Sequence, residues 1–162
     1  FLLFLKRKLN RTNFMKWLIP PILVAFCLLL MSVLSHSLPI DNIFSVKHAP
    51  LIGAPLIILG LSLILITAYN FKKAKTNIHT FHNPNKLVTS GLFKISRNPI
   101  YLGFMLILIG ATFLFNAIST FIGPAIFFLC ANFWYIPFEE KAAEDAFGQD
   151  YLAYKNKVRR WI

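Results

Sequence analysis

The chain has 162 residues, 57% of them hydrophobic, with 17 phenylalanines, six acidic side chains and a mean hydropathy of +0.62. That is too apolar for a soluble domain of this length, and it predicts an integral membrane protein built as one bundle, with no room for a separate soluble domain. The formal net charge of +11 is not a nucleic-acid signal, because the Lys and Arg side chains flank apolar stretches as topology signals do.

In chain order, Phe1 to Asn13 reads as a basic, partly apolar leader, and Met15-Lys16 ahead of the first span would be a natural start. No small-residue cleavage site follows that span, so a cleavable signal peptide is not expected. Four spans follow, at 17–38, 51–69, 100–115 and 118–138. A crossing helix needs about 20 apolar residues, so the third is short. Spans three and four read as a tight hairpin turning at Asn116-Ala117, its polar ends slightly inside the interface. The expected fold is all-α: a polytopic bundle of four transmembrane helices with a C-terminal amphipathic helix. It forms a single domain over 1–162, with a loop at 70–99 and a cap at 139–162.

Sixteen of the 17 Lys and Arg lie before span one, between spans two and three, or after span four; Lys47 is the exception. Under the positive-inside rule both termini and the central loop face the cytoplasm. Attraction to anionic membrane lipids accompanies the same pattern.

Cys27 and Cys130 fall one apiece in spans one and four, which suits apolar packing better than a disulfide. His36, His48, His79 and His82 are spread over both sides of the membrane, so no metal site is expected. There is no glycine-rich phosphate loop, no nucleophile elbow and no Ser/His/Asp set.

The chemistry gathers at two places. The first is the run Leu87-Val88-Thr89-Ser90-Gly91 to Arg97-Asn98-Pro99-Ile100-Tyr101-Leu102-Gly103. Pro99 fits the first turn of span three, where a missing N–H costs nothing. The free N–H groups of that turn suit an anion. Arg97 can hold a carboxylate in a two-point fork, and Tyr101 can stack on a ligand or hydrogen-bond to it. Gly103 leaves space for a ligand or for a neighbouring helix. Taken singly, Arg97 and Tyr101 also fit as interfacial anchors, and Gly103 as a packing residue. The second place is Glu139-Glu140, at the exit of span four. That pair suits a solvated face bridged to a Lys or Arg, a ligand for hydroxyls or a cation, or a general base. Phe147, Tyr151, Tyr154 and Val158 follow at three- and four-residue spacing, the pattern of an amphipathic helix lying on the membrane and capping the bundle.

In this order the elements Leu87-Val88-Thr89-Ser90-Gly91, Arg97-Asn98-Pro99-Ile100-Tyr101-Leu102-Gly103, Glu139-Glu140, Phe147-Gly148, Tyr151, Tyr154 and Arg159 resemble the isoprenylcysteine carboxyl methyltransferase and phospholipid methyltransferase superfamily. Its members are integral membrane enzymes that use S-adenosylmethionine. The likeness covers Thr80 onward, and spans one and two match only in type. It implies that the loop before span three, with Leu87, Val88 and Gly91, the Arg97-Asn98-Pro99 turn and Tyr101 hold the methionine end and sulfonium of the cofactor, and that Gly103 also belongs to the cofactor site. Glu139 or Glu140 would bind ribose hydroxyls or orient the cofactor, and the region 147–154, with Tyr151, would cover adenine. Family members often carry His where this chain has Asn98 and Asn85, so no base is assigned to either position.

The implied activity is methyl transfer to a lipophilic or lipid-modified acceptor, most like O-methylation of an isoprenylcysteine carboxylate. Such a displacement needs alignment and exclusion of water more than covalent help. Arg97 would orient a carboxylate acceptor; for an amine or thiol, Glu140 could take the proton. These two are the candidate catalytic residues. Two alternatives share features: an NADPH-dependent membrane reductase of the sterol-reductase type, and N- or S-methylation of a phospholipid or small molecule.

Overall fold

The computed structural model describes residues 19–38, 48–74 and 86–162. The leader, Met15, Trp17, Lys47, Lys75, His79, His82 and Asn85 lie outside these residues. All regular structure among the described residues is helical. It comprises α1 (Pro20–Ser37), α2 (Ala49–Ala74), a short 3-10 turn (Gly91–Lys94) and α3 (Pro99–Phe115). After a second 3-10 turn (Ile118–Phe121) come α4 (Ile122–Cys130), a π-helical turn (Ala131–Tyr135), α5 (Ile136–Phe147) and α6 (Gln149–Lys157). The segment Ile118–Phe147 runs on as one helical rod of 30 residues, apolar as far as Phe138.

This is the membrane helix bundle that the composition requires. α1, α2 and the 118–147 rod are each long and apolar enough to cross a bilayer. α3 has 17 residues, roughly 26 Å, a little short of a hydrocarbon core of about 30 Å. Ile22, Phe26, Leu29 and Val33 on α1, Leu51, Ile58 and Leu65 on α2, and Leu129 and Phe133 on the rod point outward. In an integral membrane protein those faces meet lipid, and the apolar exterior follows from that.

Boundaries shift outward at the polar end. α2 continues past Tyr69 to Ala74, because Lys72 and Lys73 in its last turn stabilise the helix C-terminus. The helix of the fourth span continues past Phe138 to Phe147, carrying Glu139, Glu140 and Lys141 beyond the apolar stretch. The amphipathic tail is two helices: Gly148, at φ 51°, breaks the chain between α5 and α6. The hairpin between spans three and four is as tight as expected, with Asn116 in the left-handed conformation closing α3.

α3 is the central helix. It packs antiparallel on α2 through two mutual glycine contacts, Gly60 with Gly103 and Gly53 with Gly110. A methyl group added at Gly60 would lie 2.5 Å from the Gly103 carbonyl oxygen, and one at Gly53 would lie 2.6 Å from that of Gly110. Both pairs are seven residues apart along each helix. A seven-residue repeat of small residues lets two backbones touch along a left-handed crossing. The other side of α3 meets α1 and the rod through Tyr101, Leu108, Cys27, Met31, Phe127, Tyr135 and Ile136. Met31 occupies the space a side chain at Gly123 would need.

Candidate functional site

The polar residues of the bundle converge at one end, where α2 finishes, α3 begins and α5 leaves the apolar rod. Pro99 is the first residue of α3, as its fixed φ and missing N–H favour. Just before it, Arg97 is held by a backbone bond from its N–H to the carbonyl of Arg159 at 3.0 Å. Its Nη1 lies 2.9 Å from Glu140 Oε1 and donates to the Tyr151 hydroxyl at 3.2 Å.

Glu140 is clamped from its other side by Arg160, whose Nε donates to Oε1 at 3.1 Å and whose Nη2 donates to Oε2 at 2.7 Å. The side chains of Arg97 and Glu140 are each only 9% exposed, that of Arg160 31%. The triad therefore carries a net +1 at a largely desolvated spot. Within it Arg97 Nε is buried and has no hydrogen-bond acceptor. A buried donor left unmatched costs about 1–3 kcal/mol, so the arrangement is set up for a further acceptor.

Next to the triad, the Tyr101 hydroxyl donates to Glu139 Oε1 at 2.9 Å. The Tyr101 ring stacks on Tyr135 at 6.2 Å and lies 6.4 Å from Phe127, which fixes the phenol one turn inside α3. Leu87 and Val88 pack with Phe71, Phe147 and Val158 around the buried Phe93, Tyr151 and Tyr154. This is the apolar face that the three- and four-residue spacing in the tail predicts. The Tyr154 hydroxyl donates to the Phe93 carbonyl at 2.7 Å, tying α6 to the loop. Burial pushes the Tyr154 phenol up to about 12, against the opposing charge of Arg97. Burial also raises the Tyr151 phenol, helped by the Glu140 charge and opposed by Arg97.

The structure thus brings Arg97, Glu140, Tyr151, Asn98, Pro99, Tyr101 and Glu139 to one end of the bundle, with Leu87 and Val88 on its margin. Three of the predicted site residues also have structural partners. Gly103 faces Gly60 on α2, so the neighbouring helix fills its space. Gly91, at φ +65°, starts the 3-10 turn, and a Cβ there would lie 3.0 Å from Asn70 Nδ2, a backbone role. Glu140, weighed as a proton acceptor, has both oxygens engaged, accepting two N–H bonds from Arg160 and ion-paired with Arg97, and serves as the anion of an ion triad. Asn98 gives its side-chain amide to the Arg160 carbonyl at 2.9 Å.

Sequence reasoning passed over Arg160, Asn132 and Ser96. Asn132 lies in the apolar rod, where its Oδ1 accepts from Arg160 Nη1 at 3.1 Å and from Trp161 Nε1 at 3.3 Å. A lone amide at membrane depth is the signal that could have found it. Among the described residues no group of His, Cys, Asp or Glu gathers as a metal site.

The phospholipid methyltransferase family matches residues 49–150, from the start of α2 into α6. An uncharacterized protein from Haemophilus influenzae is 40% identical over 63 residues, which is 39% of this chain and all of that protein. No solved structure matches. The chain belongs to the phospholipid methyltransferase family of integral membrane methyltransferases.

Proposed function

We propose that the protein uses S-adenosylmethionine to methylate a lipophilic acceptor at the polar end of its bundle. The observation that carries this reading is the net +1 of the Arg97–Glu140–Arg160 triad together with the unmatched, buried Arg97 Nε. Such a site asks for a carboxylate, and both the cofactor and a carboxylate acceptor supply one. The donor set fits the cofactor in other respects. Glu139 is an acceptor for ribose hydroxyls, while Leu87, Val88, Pro99 and Tyr151 offer apolar and aromatic walls.

Bound there, S-adenosylmethionine supplies an electrophilic methyl on sulfonium. The protein's share is positional. Arg97 orients an anionic group, Tyr101 and Glu139 hold a polar edge against the stacked Tyr135, and the packed aromatic cluster keeps water out. Glu140 supports Arg97 and does not accept a proton. With Glu140 committed and Glu139 engaged with Tyr101, an acceptor that needs no deprotonation suits the site best. This favours a lipid-linked carboxylate of the isoprenylcysteine kind over an amine or thiol. The charge pattern supports a site on the cytoplasmic side, where the cofactor is made.

The test is transfer of labelled methyl from S-adenosylmethionine by purified protein in bilayers. The vesicles would hold either a farnesylated cysteine derivative or phosphatidylethanolamine. Alkali-labile label on the first is expected, as for a methyl ester. Alkali-stable label on the second would replace the carboxylate reading with N-methylation. Saturable binding of NADPH, with none of S-adenosylhomocysteine, would overturn the assignment in favour of a reductase.

A further inference from the structure

Residues 159–161 cross the site as a strap. The Arg159 carbonyl accepts the Arg97 N–H, and the Arg160 carbonyl accepts from Asn98 Nδ2 at 2.9 Å and from Ser96 Oγ at 3.4 Å. On the far side the strap rests on one face of the apolar rod. There the Trp161 ring stacks on Phe128 at 5.5 Å, and Arg160 and Trp161 both donate to Asn132, one turn further along.

The local backbone explains why Asn132 can receive them. In the π turn the Ile136 N–H bonds to the Ala131 carbonyl. The next amide that could reach the Asn132 carbonyl belongs to residue 137, which is proline and has no N–H. Asn132 therefore offers two acceptors inside a span, its carbonyl and its side-chain oxygen, and Arg160 Nη1 meets both, at 3.2 and 3.1 Å. The remaining nitrogens of that guanidinium grip Glu140.

We propose that Asn132 is a positioning residue of the site. Pro137 and the π turn free its carbonyl, Asn132 seats Arg160 and Trp161, and Arg160 in turn sets the Glu140 carboxylate that holds Arg97. A span that faces lipid through Phe133 is by this route coupled to the group that meets the ligand. The inference rests on the proposed cofactor site for its effect on binding, but the seating of the strap can be measured without it.

The experiment uses full-length protein in bilayers with Trp17 and Trp134 changed to Phe, leaving Trp161 as the fluorophore. Asn132→Leu removes the side-chain oxygen, and because it adds an apolar group to a span it leaves insertion intact. Asn132→Asp keeps an acceptor for both donors. Two readouts are taken: the emission of Trp161 without ligand, and the affinity for S-adenosylhomocysteine by calorimetry. Asn132→Leu is expected to shift Trp161 emission and weaken binding roughly tenfold or more, and Asn132→Asp to restore both. Pro137→Ala, which gives the carbonyl an intrahelical donor, should shift emission in the same direction as Asn132→Leu. Unchanged emission in Asn132→Leu would overturn the seating. Shifted emission with unchanged affinity would reduce Asn132 to an anchor of the tail and overturn the positioning role. If the unaltered protein binds no S-adenosylhomocysteine, the cofactor assignment and the positioning role both fail, and emission alone decides whether Asn132 seats the strap.

Discussion

Replacing Glu140 with Gln distinguishes a clamp from a base. In the native protein Oε1 takes Arg97 Nη1 at 2.9 Å and Arg160 Nε at 3.1 Å, while Oε2 takes Arg160 Nη2 at 2.7 Å. Glutamine keeps the shape and one acceptor oxygen. Its amide nitrogen, however, turns a donor toward a guanidinium, and two cations are left side by side. Breaking a buried pair costs about 3–5 kcal/mol. The lower end applies here because the Arg160 side chain is 31% exposed and keeps part of its hydration. About 3 kcal/mol is roughly a hundredfold in affinity, divided between the fold and the bound state. Thermal unfolding and S-adenosylhomocysteine calorimetry in the same detergent should both fall, whereas Lys141→Gln, an exposed neighbour, should move neither. The double change Glu140→Gln, Arg160→Gln should cost less than the sum of the two, since the cation left without an anion is gone. Native unfolding and native affinity with a collapsed methyl-transfer rate would make Glu140 a proton acceptor and refute the clamp.

Arg97→Lys should keep insertion and topology but lose about tenfold to a hundredfold in activity, since an ammonium cannot reach Glu140, Tyr151 and a ligand carboxylate with one planar fork; wild-type turnover would reduce Arg97 to an interfacial anchor. Gly60→Val should lower the unfolding temperature although Val is the better helix former, because the added carbon meets the Gly103 carbonyl at 2.5 Å and Ile107 Cγ1 at 2.9 Å; an unchanged temperature would show that the seam opens freely. Tyr154 has a folded pKa raised to about 12 from 10, so its contribution is complete below pH 10 and is lost as pH rises toward 12. Unfolding monitored by circular dichroism should lose about 1.4 kcal/mol per unit in that window from Tyr154, and Tyr154→Phe should reduce the dependence, leaving the part that the raised Tyr151 phenol contributes. Thiol labelling of cysteines placed at 73 and 47 should report the first as cytoplasmic and the second as external, and the reverse result would move the site to the compartment without cofactor.

Much of the architecture was legible because it rests on terms that sequence expresses directly. Apolar length gave the three long helices and the shorter α3, Pro99 gave the start of α3, and Asn116 gave the tight hairpin. The spacing of Phe147, Tyr151, Tyr154 and Val158 gave the face that packs on Phe93. The convergence of Arg97 with Glu140 was legible only as two polar clusters at the same depth. Their pairing depends on Arg160, and a basic doublet after a span reads first as a topology signal. The glycine seam was half visible. Gly53, Gly60, Gly103 and Gly110 repeat at seven, but the register that makes each pair mutual is a property of two helices together.

The least legible part is the one that sets the site's geometry. Nothing in the hydropathy of Ala131–Tyr135 distinguishes a π turn from an α turn, because the difference is one backbone hydrogen bond. The sequence does contain its cause. A proline at 137 removes the amide that would otherwise reach back, and an asparagine five residues earlier supplies a side-chain acceptor beside the carbonyl thus released. Each alone is unremarked in a membrane span, where neighbours routinely satisfy a proline's lost bond. Together they place two acceptors on one lipid-embedded helix, and the partner that meets both is a guanidinium 28 residues further along the chain. An arginine drawn to that depth needs a counter-charge, and Glu140 supplies it at 2.7 Å. Because Glu140 answers two arginines, Arg97 is left with an unmatched donor. On this chain of causes, the proposed anion site depends on Pro137 and Asn132 as well as on its two arginines.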